Sequence, residues 1–141
     1  MYSKIVLAHD GSDGAARALP HAVALAKESG GKLAVVHVDE RIAAKGDMPS
    51  IRADEDEIKE ELRARVQQLA EEGVEAELVE TAITLGGPGS AIADVAEQFD
   101  ADVIVVGTRG RSSIPGLLLG SVAHRLLHTA HRPVLAIPPE S

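Results

Sequence analysis

Residues Val103-Ile104-Val105-Val106 form an unbroken β-branched run. A strand with one face in water alternates apolar and polar side chains; this run does not. It belongs inside a sheet covered on both faces, the usual setting of a parallel sheet in an α/β domain. Lys4 to His9, Leu33 to Val38 and Pro133 to Pro138 hold further apolar runs, the last fenced by prolines. Between the runs the apolar period changes. Ala15, Leu19, Ala22, Val23 and Ala26 recur every three or four residues, as do Ile58, Leu62, Val66 and Leu69. Ile92, Val95, Ala96 and Phe99 repeat this spacing, and so do Val122, Ala123, Leu126, Leu127 and Ala130. Each set makes one helix face. Residues 74–84 place Val74, Ala76 and Leu78 opposite Glu75 and Glu77, and predict one more strand. Gly30-Gly31 and Gly73 stop helices, and Gly86-Gly87-Pro88 opens one. Pro20 lies inside the first helical pattern and predicts a kink or a later start. Residues 40–50 have no period and predict a loop.

The resulting order is βαβαβαβαβ. Such alternation predicts an α/β domain with a parallel sheet and right-handed crossovers; the fold expected is a doubly wound five-stranded sheet, order 3-2-1-4-5, with helices on both faces. A length of 141 residues suits a single domain over residues 1–141.

Composition removes several functions. There are 14 Lys+Arg against 22 Asp+Glu, a net charge of −8. Bulk nucleic-acid binding needs a basic footprint, and with Tyr2 and Phe99 as its aromatics the chain has no base-stacking platform. There is no cysteine for a disulfide, a thiolate metal site or a nucleophile. No apolar run reaches the roughly 18–20 residues that span a bilayer. The first residues, interrupted by His9 and Asp10, do not make a signal peptide. These features predict a cytoplasmic protein with no membrane insertion.

Open parallel sheets bind ligands beyond the carboxyl ends of their strands, where the strand order reverses. In the order 3-2-1-4-5, strands one and four are neighbours. The first ends in Asp10-Gly11-Ser12-Asp13 and the fourth in Gly107-Thr108-Arg109-Gly110-Arg111-Ser112-Ser113. An acidic group and a glycine-rich loop bearing arginines then face one crevice. The loop leads into Gly120-Ser121 and a helix. A helix N-terminus offers unpaired N–H groups and a positive dipole end, and a glycine-rich approach lets a phosphate come close. Ser121 is expected to cap that helix and to offer its hydroxyl to a phosphate. The plain alternative is that the glycines only turn the chain.

Several nucleotide and acyl-transfer motifs are absent. Gly31-Lys32 is followed by Leu33, so there is no Walker A loop, and Asp-Gly-Ser-Asp-Gly replaces a Rossmann G-x-G-x-x-G. There is no G-x-S-x-G elbow. A response-regulator receiver needs an aspartate after strand three and a lysine after strand five; Thr84-Leu85-Gly86 and Pro138-Pro139 stand there.

Gly107-x2-Gly110-x9-Gly120-Ser121 resembles the ATP-binding signature of the universal stress protein family. Asp10-Gly11-Ser12, Val36-His37-Val38 and Pro133-Val134-Leu135 match the family's other landmarks, so the resemblance spans nearly the whole chain. It implies a homodimeric regulatory or sensing module that binds ATP, or AMP or ADP, with Mg²⁺ held through the phosphates. It implies that Asp10 contacts the ribose or adenosine side and that the Val38 backbone meets adenine. It further implies that Gly107, Arg109 and Gly110 line ribose and phosphates, and that Gly120, Ser121 and Val122 hold the phosphates. His9 departs from the aliphatic or small residue more usual there. No catalytic residue is expected. The alternatives are a slow ATPase or phosphotransferase using Asp10, which lacks a lysine in the cradle, and a nucleotide-free structural partner protein.

The remaining features have bland expectations. His124 and His128, four apart, have no carboxylate neighbour and predict a solvated face rather than a metal site. Residues 54–57 and Glu60-Glu61 predict a solvated acidic helix start. Asp10 and Asp13 are close enough to suggest a catalytic carboxylate pair; the competing expectation, favoured for Asp13, is that Ser12 or Asp13 caps the first helix. The last strand, 133–138, is expected at a sheet edge, where a second copy can pair with it, and an unidentified protein partner is expected to read the dimer.

Overall fold

The computed structural model describes residues 2–39, 55–109 and 119–139. The elements are β1 (Lys4–Ala8), α1 (Asp13–Ser29), β2 (Lys32–Asp39), α2 (Glu55–Glu71), β3 (Glu75–Ala82), α3 (Pro88–Phe99), β4 (Val103–Gly107), α4 (Ser121–Thr129) and β5 (Val134–Ile137). The five strands form one sheet in the order β3-β2-β1-β4-β5, and every pair is parallel. The expected fold class and strand order are both present. The loop expected over 40–50 lies outside the described residues.

Both faces of the sheet are covered, which is why its strands read as continuous apolar runs. Successive side chains point to opposite faces. Ile5, Leu7, Leu33, Val35, Val103 and Val105 pack with Ala18, Leu19 and Ala22 of α1 and Ile58, Leu62 and Leu69 of α2. Val6, Ala8, Val36, Val38, Ile104 and Val106 face the other way, onto Ile92, Val95 and Ala96 of α3 and Ala123 and Leu126 of α4. Every residue of β4 is buried. The two edge strands differ from it as burial requires. β3 keeps the alternation seen in its sequence, and β5 leaves Leu135 39 % exposed.

Two local expectations change. Pro20 neither delays nor ends α1, which begins at Asp13 and runs to Ser29, with Gly30 as its C-cap. Pro20 lies on the exposed side, and burial of Ala15, Ala18, Leu19, Ala22 and Ala26 holds the helix through it. The acidic start of α2 is not wholly solvated. Glu55 is fully buried and its Oε2 lies 2.7 Å from Nε2 of His37, also fully buried. Residue 54 lies outside the described residues. One turn further on, Lys59 ties α2 to the sheet through Asp39 at 2.6 Å and Glu80 at 3.2 Å, and the Asp39 contact holds its ammonium pKa above the ordinary value.

Candidate functional site

The carboxyl ends of β1, β2 and β4 open into a pocket. Its floor is apolar: Ala8, Val36, Val38 and Val106 from the strands, Ile92 from α3 and Ala123 from α4. Its rim is polar and comes from two turns, His9, Asp10 and Ser12 after β1 and Gly107, Thr108 and Arg109 after β4, facing Gly120, Ser121 and Val122 at the start of α4. Asp10, Val38, Gly107, Arg109, Gly120, Ser121 and Val122 thus converge on one site, as the sequence predicts. Gly110 lies outside the described residues.

The turn after β1 is built by short hydrogen bonds. Asp10 Oδ1 accepts the Ser12 N–H at 2.9 Å, and His9 Nδ1 accepts the Gly11 N–H at 3.1 Å. Gly11 has φ +86°, a region that glycine enters without the steric penalty other residues carry. Ser12 Oγ accepts the Ala15 N–H at 3.2 Å and is the cap of α1. Of the two expected caps, Ser12 and Asp13, the helix uses Ser12. Asp13 lies in the first turn instead, where a carboxylate suits the positive dipole end.

The second helix start at the pocket differs. Gly120, not Ser121, is the N-cap of α4, and as a glycine it has no side chain with which to cap the helix. The expected cap fails because Ser121 already has helical geometry as the first residue of α4. The first helical acceptor, Gly120 O, is taken by the His124 N–H. The N–H groups of Ser121, Val122 and Ala123 precede it and have no acceptor inside the helix. Beside them, Thr108 Oγ1 is buried without a hydrogen-bond partner. A buried hydroxyl in that state carries a desolvation penalty that a ligand acceptor removes. One helix start at this crevice is thus satisfied by its own serine, and the other offers donors to an anion next to Arg109.

A backbone contact that the sequence reading missed brings the two turns together. A Cβ on Gly14 would fall on the carbonyl oxygen of Arg109, and one on Gly107 would lie 2.7 Å from the Gly14 carbonyl oxygen. The start of α1 and the end of β4 therefore touch backbone to backbone. The Gly120 N–H donates to Thr108 O and ties α4 to the same turn. Gly14 stands three residues after Gly11 in a helical pattern, and nothing in its local sequence marks a long-range contact.

Burial pushes the His9 imidazole below its ordinary 6.5, the Asp10 carboxylate pulls it up, and His37 pushes it down again. His124 and His128 meet in a tilted contact, 4.6 Å between ring centroids and 55° between planes, on the exposed side of α4. Among the described residues no group of three or more metal-ligating side chains is gathered. No helix among them is long and apolar enough to cross a membrane.

With this geometry, similarity to known proteins has a definite meaning. The chain belongs to the universal stress protein family, whose sequence profile matches residues 1–138. A universal stress protein of Methanocaldococcus jannaschii is 36 % identical over 143 residues, covering 97 % of this chain and 82 % of the relative. The structure of a universal stress protein from Archaeoglobus fulgidus in complex with dAMP is 32 % identical, with a TM-score of 0.69, and the match covers 96 % of this chain and 98 % of that one. A universal stress protein solved in complex with cAMP gives 0.70 at 29 % identity, covering 99 % and 98 % of the two chains.

Two outcomes test this construction. Gly14→Ala should lower stability by about 1–3 kcal/mol, the usual penalty of overpacking, and should shift the amide resonances of residues 107–109. An unchanged denaturation midpoint would remove the close contact from the account. His9 gives a pH dependence. Its folded pKa is lowered, so the unfolded chain binds a proton that the folded chain resists once the pH falls through 6.5. Between about pH 7.5 and about pH 5.5, the wild type should lose more melting temperature than His9→Val. Equal losses would mean that the ring is not held neutral by burial.

Proposed function

We propose that this chain is a single nucleotide-binding domain that takes ATP, or another adenine nucleotide, and acts as a homodimeric regulatory module. The observation that carries the reading is the glycine-started N-terminus of α4 beside the buried, partnerless Thr108 hydroxyl, both at a pocket with an apolar floor. An adenine ring suits the apolar surface of Val36, Val38 and Ile92. Phosphates suit the N–H groups of Ser121, Val122 and Ala123, with Gly107, Arg109 and Gly120 closing the cradle. Asp10, held by the Ser12 amide, lines the same pocket and suits the hydroxyls of a ribose. Adenine nucleotides bound to related universal stress proteins support this reading. Asp10 is the one carboxylate among the described pocket residues, so Mg²⁺ accompanying ATP would be held mainly by phosphate oxygens and water.

β5 is a sheet edge with a partly exposed Leu135, and such an edge is a template for a second copy. In this reading nucleotide occupancy biases the turns around the pocket, and a protein partner reads the dimer. Occupancy shifts that equilibrium only by the difference in affinity between the two states.

Calorimetric titration with Mg·ATP tests the cradle, with Gly120→Asp as control. Gly120 has φ −70° and ψ 167°, which any residue adopts. Aspartate is a favoured N-cap, and it sets a carboxylate where phosphate should bind. The wild type should bind and the folded variant should lose at least about tenfold in affinity, or 1.4 kcal/mol. Equal binding by both would contradict the cradle.

A further inference from the structure

His37 and Glu55 are the buried polar residues among the described core, and neither lines the pocket. They belong to the opposite face of the sheet from its floor, since His37 shares the parity of Leu33 and Val35. Yet His37 reaches the pocket through the backbone. Its Nδ1 lies 2.9 Å from the carbonyl oxygen of His9, and its Nε2 lies 2.7 Å from Glu55 Oε2. A carbonyl oxygen only accepts, so Nδ1 carries a proton and donates. The short Nε2–carboxyl contact needs a second proton, on the imidazole or on the glutamate. His9 N–H in turn donates to Val36 O, so the residue before Asp10 is fixed on both sides of its peptide unit by β2.

We infer that His37 is a positioning residue for the pocket: it holds the His9 carbonyl, and through it the turn bearing Asp10, while Glu55 holds the imidazole. The inference rests on the nucleotide reading of that pocket for its functional consequence, but not for the hydrogen-bond relay itself. The relay links three places far apart in sequence: the end of β1, the end of β2 and the first residue of α2. Asp39 and Glu55 also flank residues 40–54, and both ends are docked, Asp39 by Lys59 and Glu55 by His37. Seating of the first turn of α2 and the placement of Asp10 are therefore coupled through one imidazole. A buried polar pair also has an alternative that requires no pocket: it specifies how α2 docks and nothing else.

Substitutions that mimic one ring nitrogen at a time separate these roles. An asparagine amide overlays Nδ1 and keeps the donor to His9 O; a glutamine amide overlays Nε2 and keeps the contact with Glu55. Both lose half of the relay and stability with it. Hydrogen exchange without ligand reads the turn directly, because the Gly11 and Ser12 amides donate to His9 Nδ1 and Asp10 Oδ1. His37→Gln should speed exchange of these amides at least about tenfold relative to His37→Asn, and should weaken Mg·ATP binding by a similar factor. Glu55→Ala should loosen the same amides across the sheet. Glu55→Gln, whose amide can donate to Nε2 while Nδ1 keeps its proton, should restore them and keeps the test open if a His37 variant fails to fold. Equal exchange at residues 11 and 12 in His37→Gln and His37→Asn, or in Glu55→Ala and Glu55→Gln, would overturn the inference. If these pairs separate but the wild type binds no Mg·ATP, positioning stands and the nucleotide reading fails.

Discussion

The pocket depends on one contact between backbones. The start of α1 and the end of β4 meet at Gly14 and Gly107, with no side chain between them. Parallel pairing of β1 with β4 brings these ends into register, and the glycines let them close. Asp10 thereby comes to face the cradle from which α4 starts. A wider separation would leave the acidic turn and the start of α4 as unrelated features of the same sheet.

The two helix starts at this crevice illustrate how local sequence divides labour. α1 satisfies its own first turn through Ser12. α4 begins at a glycine that has no side chain to do so. No side chain at that N-cap covers the positive dipole end and the first N–H groups of α4. Beneath them the floor consists of β-branched and small residues that continue the core of α3 and α4. The pocket is thus the end of the hydrophobic core, widened where the strands stop.

Much of this was legible in the sequence, for physical reasons. The run at 103–106 and the shift between two apolar periods follow from burial of both sheet faces, so the element order could be read directly, whereas the strand order 3-2-1-4-5 is not fixed by that alternation. That Asp10 and Gly107 would line one pocket was legible because they fall at the ends of neighbouring strands, where α/β sheets open a crevice. Local competition escaped it. Ser12 and Asp13 both offered a cap for α1 and the fold takes Ser12, while at α4 Gly120 takes the place expected of Ser121. Long-range polar pairing escaped it as well. Glu55 sits in an acidic run and resembles its exposed neighbours, and only the fold sets it against His37. Gly14 is silent for the same reason, since its partner is distant in sequence. Packing overrode the propensity of Pro20.

Amide chemical-shift mapping during titration with Mg·ATP tests the central claim most directly. The account predicts saturable shifts concentrated at residues 9–12, at 107–109 and at 120–123, with the β3 edge and the middle of α2 unmoved. Shifts centred elsewhere, or none at millimolar nucleotide (about 4 kcal/mol of binding free energy), would contradict it.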